Sequence, residues 1–249
     1  FGIQLAPNFK RPYFSVSLGD FWRRWHISLG AWMRDYVFYP FALTRPVSRM
    51  SKALKKKAGT HIARALPAAL GNILVFLLVG VWHGAQMNYV LWGLYNGVIL
   101  AFTALVEPVY KRMNDRLPRL TASGGFHVFR ILRTFLVVNI GWYFDRCVRV
   151  CDAFAMLHKT FFAFNARQLF DGTLDTLGLA AKDYRILLVA TIILFVVSFM
   201  QERGVKIRDF VFSRPLALRW AVLYAFIFFV LATFGGSNVA ASGFMYAVF

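Results

Sequence analysis

Carboxylates are scarce in this chain: 11 Asp and Glu stand against 29 Lys and Arg, and charged residues of both signs make up only 16% of the sequence. With 59% hydrophobic residues and 18% aromatics beside them, that shortage excludes an ordinary soluble domain kept in water by a polar surface. Cysteine is nearly missing. Cys147 and Cys151 have no second pair and no histidine at ligand spacing, so they read as structural thiols and no metal site is expected. Absent too are the G-x-S-x-G elbow, the H-E-x-x-H metal motif, the P-loop and the G-x-G-x-x-G fingerprint. The sequence has no initiator methionine and no signal-peptide pattern, and it reads as the C-terminal part of a longer polytopic protein or a trimmed chain.

What the chain does have is apolar length. Several segments approach the roughly 20 residues that cross a bilayer, which outranks the one or two globular domains allowed by 249 residues. The net charge of +18 would suggest nucleic acid in a soluble protein. Here the basic residues sit between apolar segments and the aromatics lie inside membrane-length runs, so they report orientation in a membrane and no nucleic-acid partner is expected. The expectation is an all-α, polytopic transmembrane helical bundle with interfacial amphipathic helices and an internal tunnel or cavity, one membrane domain over residues 1–249.

Residues 1–20 carry two prolines and end in Asp20, an interfacial lead-in with Asp20 as helix cap. In "FWRRWHISLGAWMRDY", residues 21–36, Trp22, Trp25, Leu29, Trp32, Met33 and Tyr36 recur at three and four, which predicts one amphipathic interfacial helix from Phe21. Residues 44–64 hold seven Lys and Arg and no acid, a basic loop of the cytoplasmic type that could also grip anionic lipid headgroups. The apolar stretch 66–108 is interrupted at Gly80-Val81-Trp82-His83-Gly84. Its flanks at 44–64 and 109–119 are both basic, so the chain must enter the membrane and return, with the turn at His83. The first arm, roughly 67–82, is shorter than a span, which places that turn within the membrane or near its outer face. The glycines are expected to loosen the backbone there, as lipid tolerates only where protein or a wet cavity satisfies it. Further spans are expected at 127–144, 185–200 and 217–234, with interfacial helices between 145 and 184.

An ionisable residue inside a membrane segment is a functional hypothesis by default, and histidine is the cheapest because it can be neutral. A desolvated His83 can accept a proton from a hydroxyl; the bland alternative is a satisfied histidine tying two helices together. His26, between two indoles with arginines before it, binds an anionic part of a substrate, orients a partner or anchors the helix at the headgroups. Asn88 and Asn96 hydrogen-bond within the bundle or reach the His83 cavity. His61, His127 and His158 read as surface residues.

"FWRRWHISLGAWMRDYVFYP" together with "VGVWHGAQMNYVLWGLYNG" strongly resembles the membrane-bound O-acyltransferases, in particular the bacterial branch that includes the alginate O-acetylation and teichoic acid D-alanyl transfer proteins. The resemblance extends through "NFKRPYFSVSLGDF", "VNIGWYFDRC" and "GFMYAVF", and lacks the family's N-terminal spans. It implies a multi-pass enzyme of the bacterial plasma membrane that moves an acyl group, acetyl first among candidates, to a hydroxyl of an exported polysaccharide or polymer. His83 is then the catalytic residue and His26 holds the family's other histidine position, with Arg24 and Trp25 shaping the cytoplasmic mouth and Trp82, Asn88 and Asn96 beside the substrate. No tightly bound cofactor is implied; the donor is a co-substrate such as acetyl-CoA or an acyl-carrier thioester. Implied partners are membrane lipid, a carrier protein and an extracytoplasmic acetyltransferase. D-alanyl transfer to teichoic acid, a transporter and a non-catalytic scaffold are the competing readings.

Overall fold

The computed structural model describes residues 5–178 and 181–234, so "GFMYAVF" lies outside the described residues. Those residues are helical apart from turns and one isolated bridge, Phe9 with Trp25. They divide into two compact units, Phe1–Phe164 and Asn165–Phe249.

The first unit opens on α1 (Leu18–Arg24) and α2 (Ile27–Met33), followed by a π-helical turn Arg34–Phe38 and α3 (Tyr39–Ala42). The expected single helix from Phe21 is therefore two. Ser17, not Asp20, is the cap: its Oγ accepts from the Asp20 amide at 3.1 Å, while Asp20 accepts from the Val16 amide at 3.2 Å. The break falls at Trp25, which is extended, and His26, which is left-handed at φ 48° and ψ 51°. The lead-in causes it by taking over the backbone groups of that turn. Lys10 N–H donates to Arg24 O at 2.8 Å, Ile27 N–H to Asn8 O at 3.0 Å, and Ser28 N–H to Asn8 Oδ1 at 2.9 Å. A 3.6-residue stripe cannot reveal a distant segment competing for the same hydrogen bonds.

The centre of the unit is a hairpin of α4 (Arg45–His83) and α5 (Met87–Leu105). The turn lies beside His83, as the basic flanks required. The basic segment, however, is no loop. It is the first arm of α4, bent at Gly59, whose φ of 86° and ψ of 173° only glycine adopts readily. Ser51 Oγ donates to Ala63 O at 2.7 Å, so the basic arm folds back along the arm that follows. From Gly59 to His83 that second arm runs about 36 Å at 1.5 Å per residue, long enough to cross a bilayer and longer than the sequence suggested. A side chain at position 59 must carry a backbone few residues tolerate, so Gly59→Ala is expected to cost about 1–3 kcal/mol, read as a lower denaturation midpoint in detergent.

The glycines near the turn serve approach rather than looseness. A Cβ on Gly80 would stand 2.4 Å from Tyr89 O, and one on Gly93 would stand 2.2 Å from Phe76 O. The two arms thus meet backbone to backbone, the close packing that small residues provide between membrane helices. Gly80 lies within regular helix, so of the two glycines flanking the histidine only Gly84, where α4 ends, leaves helical backbone.

After α6 (Glu107–Arg116) and α7 (Pro118–Thr121) comes α8 (Gly124–Arg146), capped by Ser123 and laid across α5 and α1. Tyr95 Oη donates to Val137 O at 2.7 Å, Asn88 Nδ2 to Phe144 O at 3.2 Å, and Arg133 to Val16 O at 3.1 Å. α9 (Val150–Phe162) closes the core with Ala153 fully buried against α8. Cys147 is buried and Cys151 exposed, both as free thiols.

The second unit holds α10 (Ala181–Glu202), α11 (Ile207–Phe212) and α12 (Leu216–Phe234). Most of their large apolar side chains are exposed, as lipid-facing side chains would be. Arg203, Arg208 and Arg214 stack over Phe199, Phe212 and Phe210 between the long helices. Three described helices are long and apolar enough to cross a membrane: α4, α5 and Lys182–Glu202 of α10. α8 is not among them, since Arg130 and Arg133 interrupt its apolar run, and α12 offers the shorter Leu216–Leu231.

Candidate active site

His83 ends α4, where the Gly84 amide closes the helix onto Gly80 O and Val81 O. The half-buried imidazole stands among aromatic rings: Trp82 edge-on at 4.9 Å, Trp92 edge-on at 5.1 Å and Tyr89 stacked at 6.1 Å. Neither ring nitrogen has a hydrogen-bond partner among the described residues, so the side chain is held by packing while its nitrogens remain available. A histidine that merely ties helices together would spend those nitrogens on a neighbour, as His61 does on Leu105 O at 3.0 Å.

His26 stands on the wall of a cavity of about 570 Å³ between α1, α2 and the second arm of α4, together with Trp22, Arg23, Trp25, Arg34 and Asn72. Burial lowers its pKa below the ordinary imidazole value, so the ring is neutral at pH 7. Its left-handed backbone is unusual for any residue but glycine and is fixed by the lead-in, a strain of the kind that gathers at functional sites. Because the unfolded chain binds the proton first, stability must fall as pH drops from the ordinary histidine value through the lower folded one. His26→Asn, which tolerates the same backbone, should reduce that acid limb in unfolding measurements at pH 7.5 and 5.5.

Between the two histidines lies a layer of indoles. Trp25 is 5.9 Å from His26 and 5.5 Å from Trp142, which is 6.2 Å from Trp92. Trp22, on the cavity wall, is 5.7 Å from Trp92, so one ring separates the cavity from the rings around His83. This cavity reaches His26 and not His83, and no tunnel to His83 is shown among the described residues.

The remaining candidates fall at varied distances. Asn96 is 3% exposed, accepts from Trp22 Nε1 at 3.2 Å and donates to Trp92 O at 2.9 Å, so it fixes the indole layer. Asn88 is 2% exposed and its Oδ1 has no partner among the described residues; the same is true of buried Trp142 Nε1. Trp82 touches His83 but is 47% exposed. Arg24 is drawn back onto Asp20 at 3.2 Å, and Arg23, also beside Asp20 at 3.6 Å, is the arginine of that pair on the cavity wall.

Sequence reasoning missed Asp145, a half-buried carboxylate within electrostatic reach of His83. Its signal was an acid closing an apolar helix in "WYFDR". It also missed Trp142, for which no signal beyond aromatic content exists. Among the described residues no cluster of three or more His, Cys, Asp or Glu could hold a metal ion.

The membrane-bound O-acyltransferase family model matches residues 1–141, which include both histidines. The chain is 35% identical to "Probable alginate O-acetylase AlgI" of Pseudomonas syringae over 169 residues, 68% of this chain and 27% of that protein. It is 32% identical to teichoic acid D-alanyltransferase of Bacillus subtilis over 57% of this chain and 32% of the relative, and 29% identical to peptidoglycan O-acetyltransferase of Helicobacter pylori over 63% and 25%. The chain thus spans about a quarter to a third of the length of these curated relatives.

Proposed function

The chain belongs to the membrane-bound O-acyltransferase family, and from that premise we propose that it carries the acyl-transfer site of a multi-pass enzyme in a bacterial plasma membrane. The reaction moves an acyl group, acetyl first, from a thioester such as acetyl-CoA or an acyl carrier to a hydroxyl of an exported cell-surface polymer. The observation that carries this reading is the half-buried His83 imidazole, packed on three aromatic rings with both nitrogens unpartnered among the described residues.

In direct transfer, the acceptor oxygen attacks the thioester carbonyl as its proton passes to a His83 ring nitrogen. The carbon–sulfur bond breaks and the thiolate leaves with a proton returned by the imidazolium. Asp145, close enough to feel that charge, stabilises the protonated ring. Arg23 and Arg34 line the His26 cavity, each beside an acid, Asp20 at 3.6 Å and Asp35 at 2.8 Å, and an anionic donor entering there would compete with those carboxylates for the guanidinium groups. A carrier protein delivering the donor and an extracytoplasmic acetyltransferase receiving the product belong to this reading as partners.

The second reading, D-alanyl transfer, is favoured by the likeness to teichoic acid D-alanyltransferase. Full-length protein in vesicles, offered labelled acetyl-CoA or a D-alanyl carrier thioester, separates the two by which label reaches polymer hydroxyls. Transfer of neither, with His83→Ala indistinguishable from the parent protein, would leave a transporter or scaffold.

A further inference from the structure

A second cavity, of about 370 Å³, is lined by residues from the start of α1, the end of α5, α6 and α8. Arg130 and Arg133 line it, three residues apart on α8, with Tyr110 and Asn114 of α6 and the apolar Phe102 and Phe126. Among the described residues no carboxylate is on its wall. The Arg133 guanidinium is held by Val16 O at 3.1 Å, while that of Arg130 has no partner among the described residues. Two like charges placed together, half-buried and without an acid, are costly unless an anion joins them.

The surroundings identify the anion's chemistry. Phe102 is 60% exposed, Val98 stands one turn before it on α5 and Phe129 next to Arg130 on α8, both also exposed, so apolar surface flanks the arginines. A free phosphate would leave that surface bare. A diacyl phosphate ester would cover it with its chains while the phosphate meets the arginines, as basic pockets between membrane helices bind acidic headgroups. We propose that this cavity is a binding site for an anionic phospholipid. Arg130 and Arg133 hold its phosphate, Tyr110 and Asn114 offer hydrogen bonds beside it, and an acyl chain lies along Phe102. It is separate from the acyl-transfer residues and from the basic arm of α4.

The test is native mass spectrometry of the full chain, purified in detergent and offered equal amounts of phosphatidylglycerol and phosphatidylcholine. The protein should retain phosphatidylglycerol preferentially. Arg130→Gln should retain about fivefold less, the worth of one cation near an anionic headgroup, while Arg130→Lys keeps most of it. An unchanged unfolding temperature in phosphatidylcholine alone shows that Arg130→Gln still folds, and should it not fold, the arginine-to-lysine comparison with Arg133→Lys carries the test. Three results overturn the proposal: equal retention by Arg130→Gln and the parent protein, loss in Lys55→Gln/Lys56→Gln/Lys57→Gln instead, or displacement by inorganic phosphate, which would make this a free-anion site.

Discussion

Replacing His83 with alanine should lower acyl transfer by about 10²–10⁴-fold, the range that a positioned proton acceptor contributes. The loss should fall on kcat, since nothing in the arrangement makes this ring a handle for either substrate. Folding should survive, because no described hydrogen bond ends on the imidazole and the hairpin beneath it is held by backbone contact. A stable His83→Ala protein with full activity would remove the chemical basis of the proposed function. His83→Gln, which offers hydrogen bonds but no basic nitrogen, should be as inactive as alanine. Asp145→Asn should weaken the rate less and shift its pH profile, because it acts on the charge of the ring and not on the substrate.

The second large effect is structural. Gly93→Val should destabilise the hairpin by about 3 kcal/mol or more, the upper end of what overpacking costs, since its Cβ would stand 2.2 Å from the Phe76 carbonyl oxygen. That contact is backbone, which cannot rotate away as a side chain can. The arms must separate, and His83 with its ring contacts moves with them. Gly93→Val should therefore lose both thermal stability and activity, whereas Gly125→Val, where a Cβ meets nothing within 4 Å, should lose neither. Equal unfolding temperatures for the two variants would contradict the close seam between α4 and α5.

How far the molecule was legible depended on whether the determining forces were local. The hairpin with its turn beside His83 followed from hydropathy and the placement of basic residues, both of which act along the chain. The all-helical class followed from the same runs. The break at Trp25 and His26 was hidden because Asn8 and Lys10, far from it in sequence, supply the hydrogen bonds that replace helical ones. The fold-back of the basic arm hung on one glycine, and periodicity alone does not give its φ. At the site, the residue types were readable and the pairings were not. Arg24 and Arg23 are neighbours that both reach Asp20, one turn earlier, at 3.2 and 3.6 Å, yet only Arg23 lies on the cavity wall, a difference set by helix rotation in the folded unit. Asp145 reaches His83 only through the crossing of α8 over α5, which no spacing within either helix announces.

The edge-on approach of His83 to Trp92 gives the protein a built-in optical sensor. An excited indole passes an electron readily to an imidazolium and poorly to a neutral imidazole, so emission from Trp92 dims when the ring beside it acquires a proton. Acid titration of the intrinsic fluorescence, compared with that of Trp92→Phe, would therefore follow the charge on this one side chain without any substrate, donor or label being added.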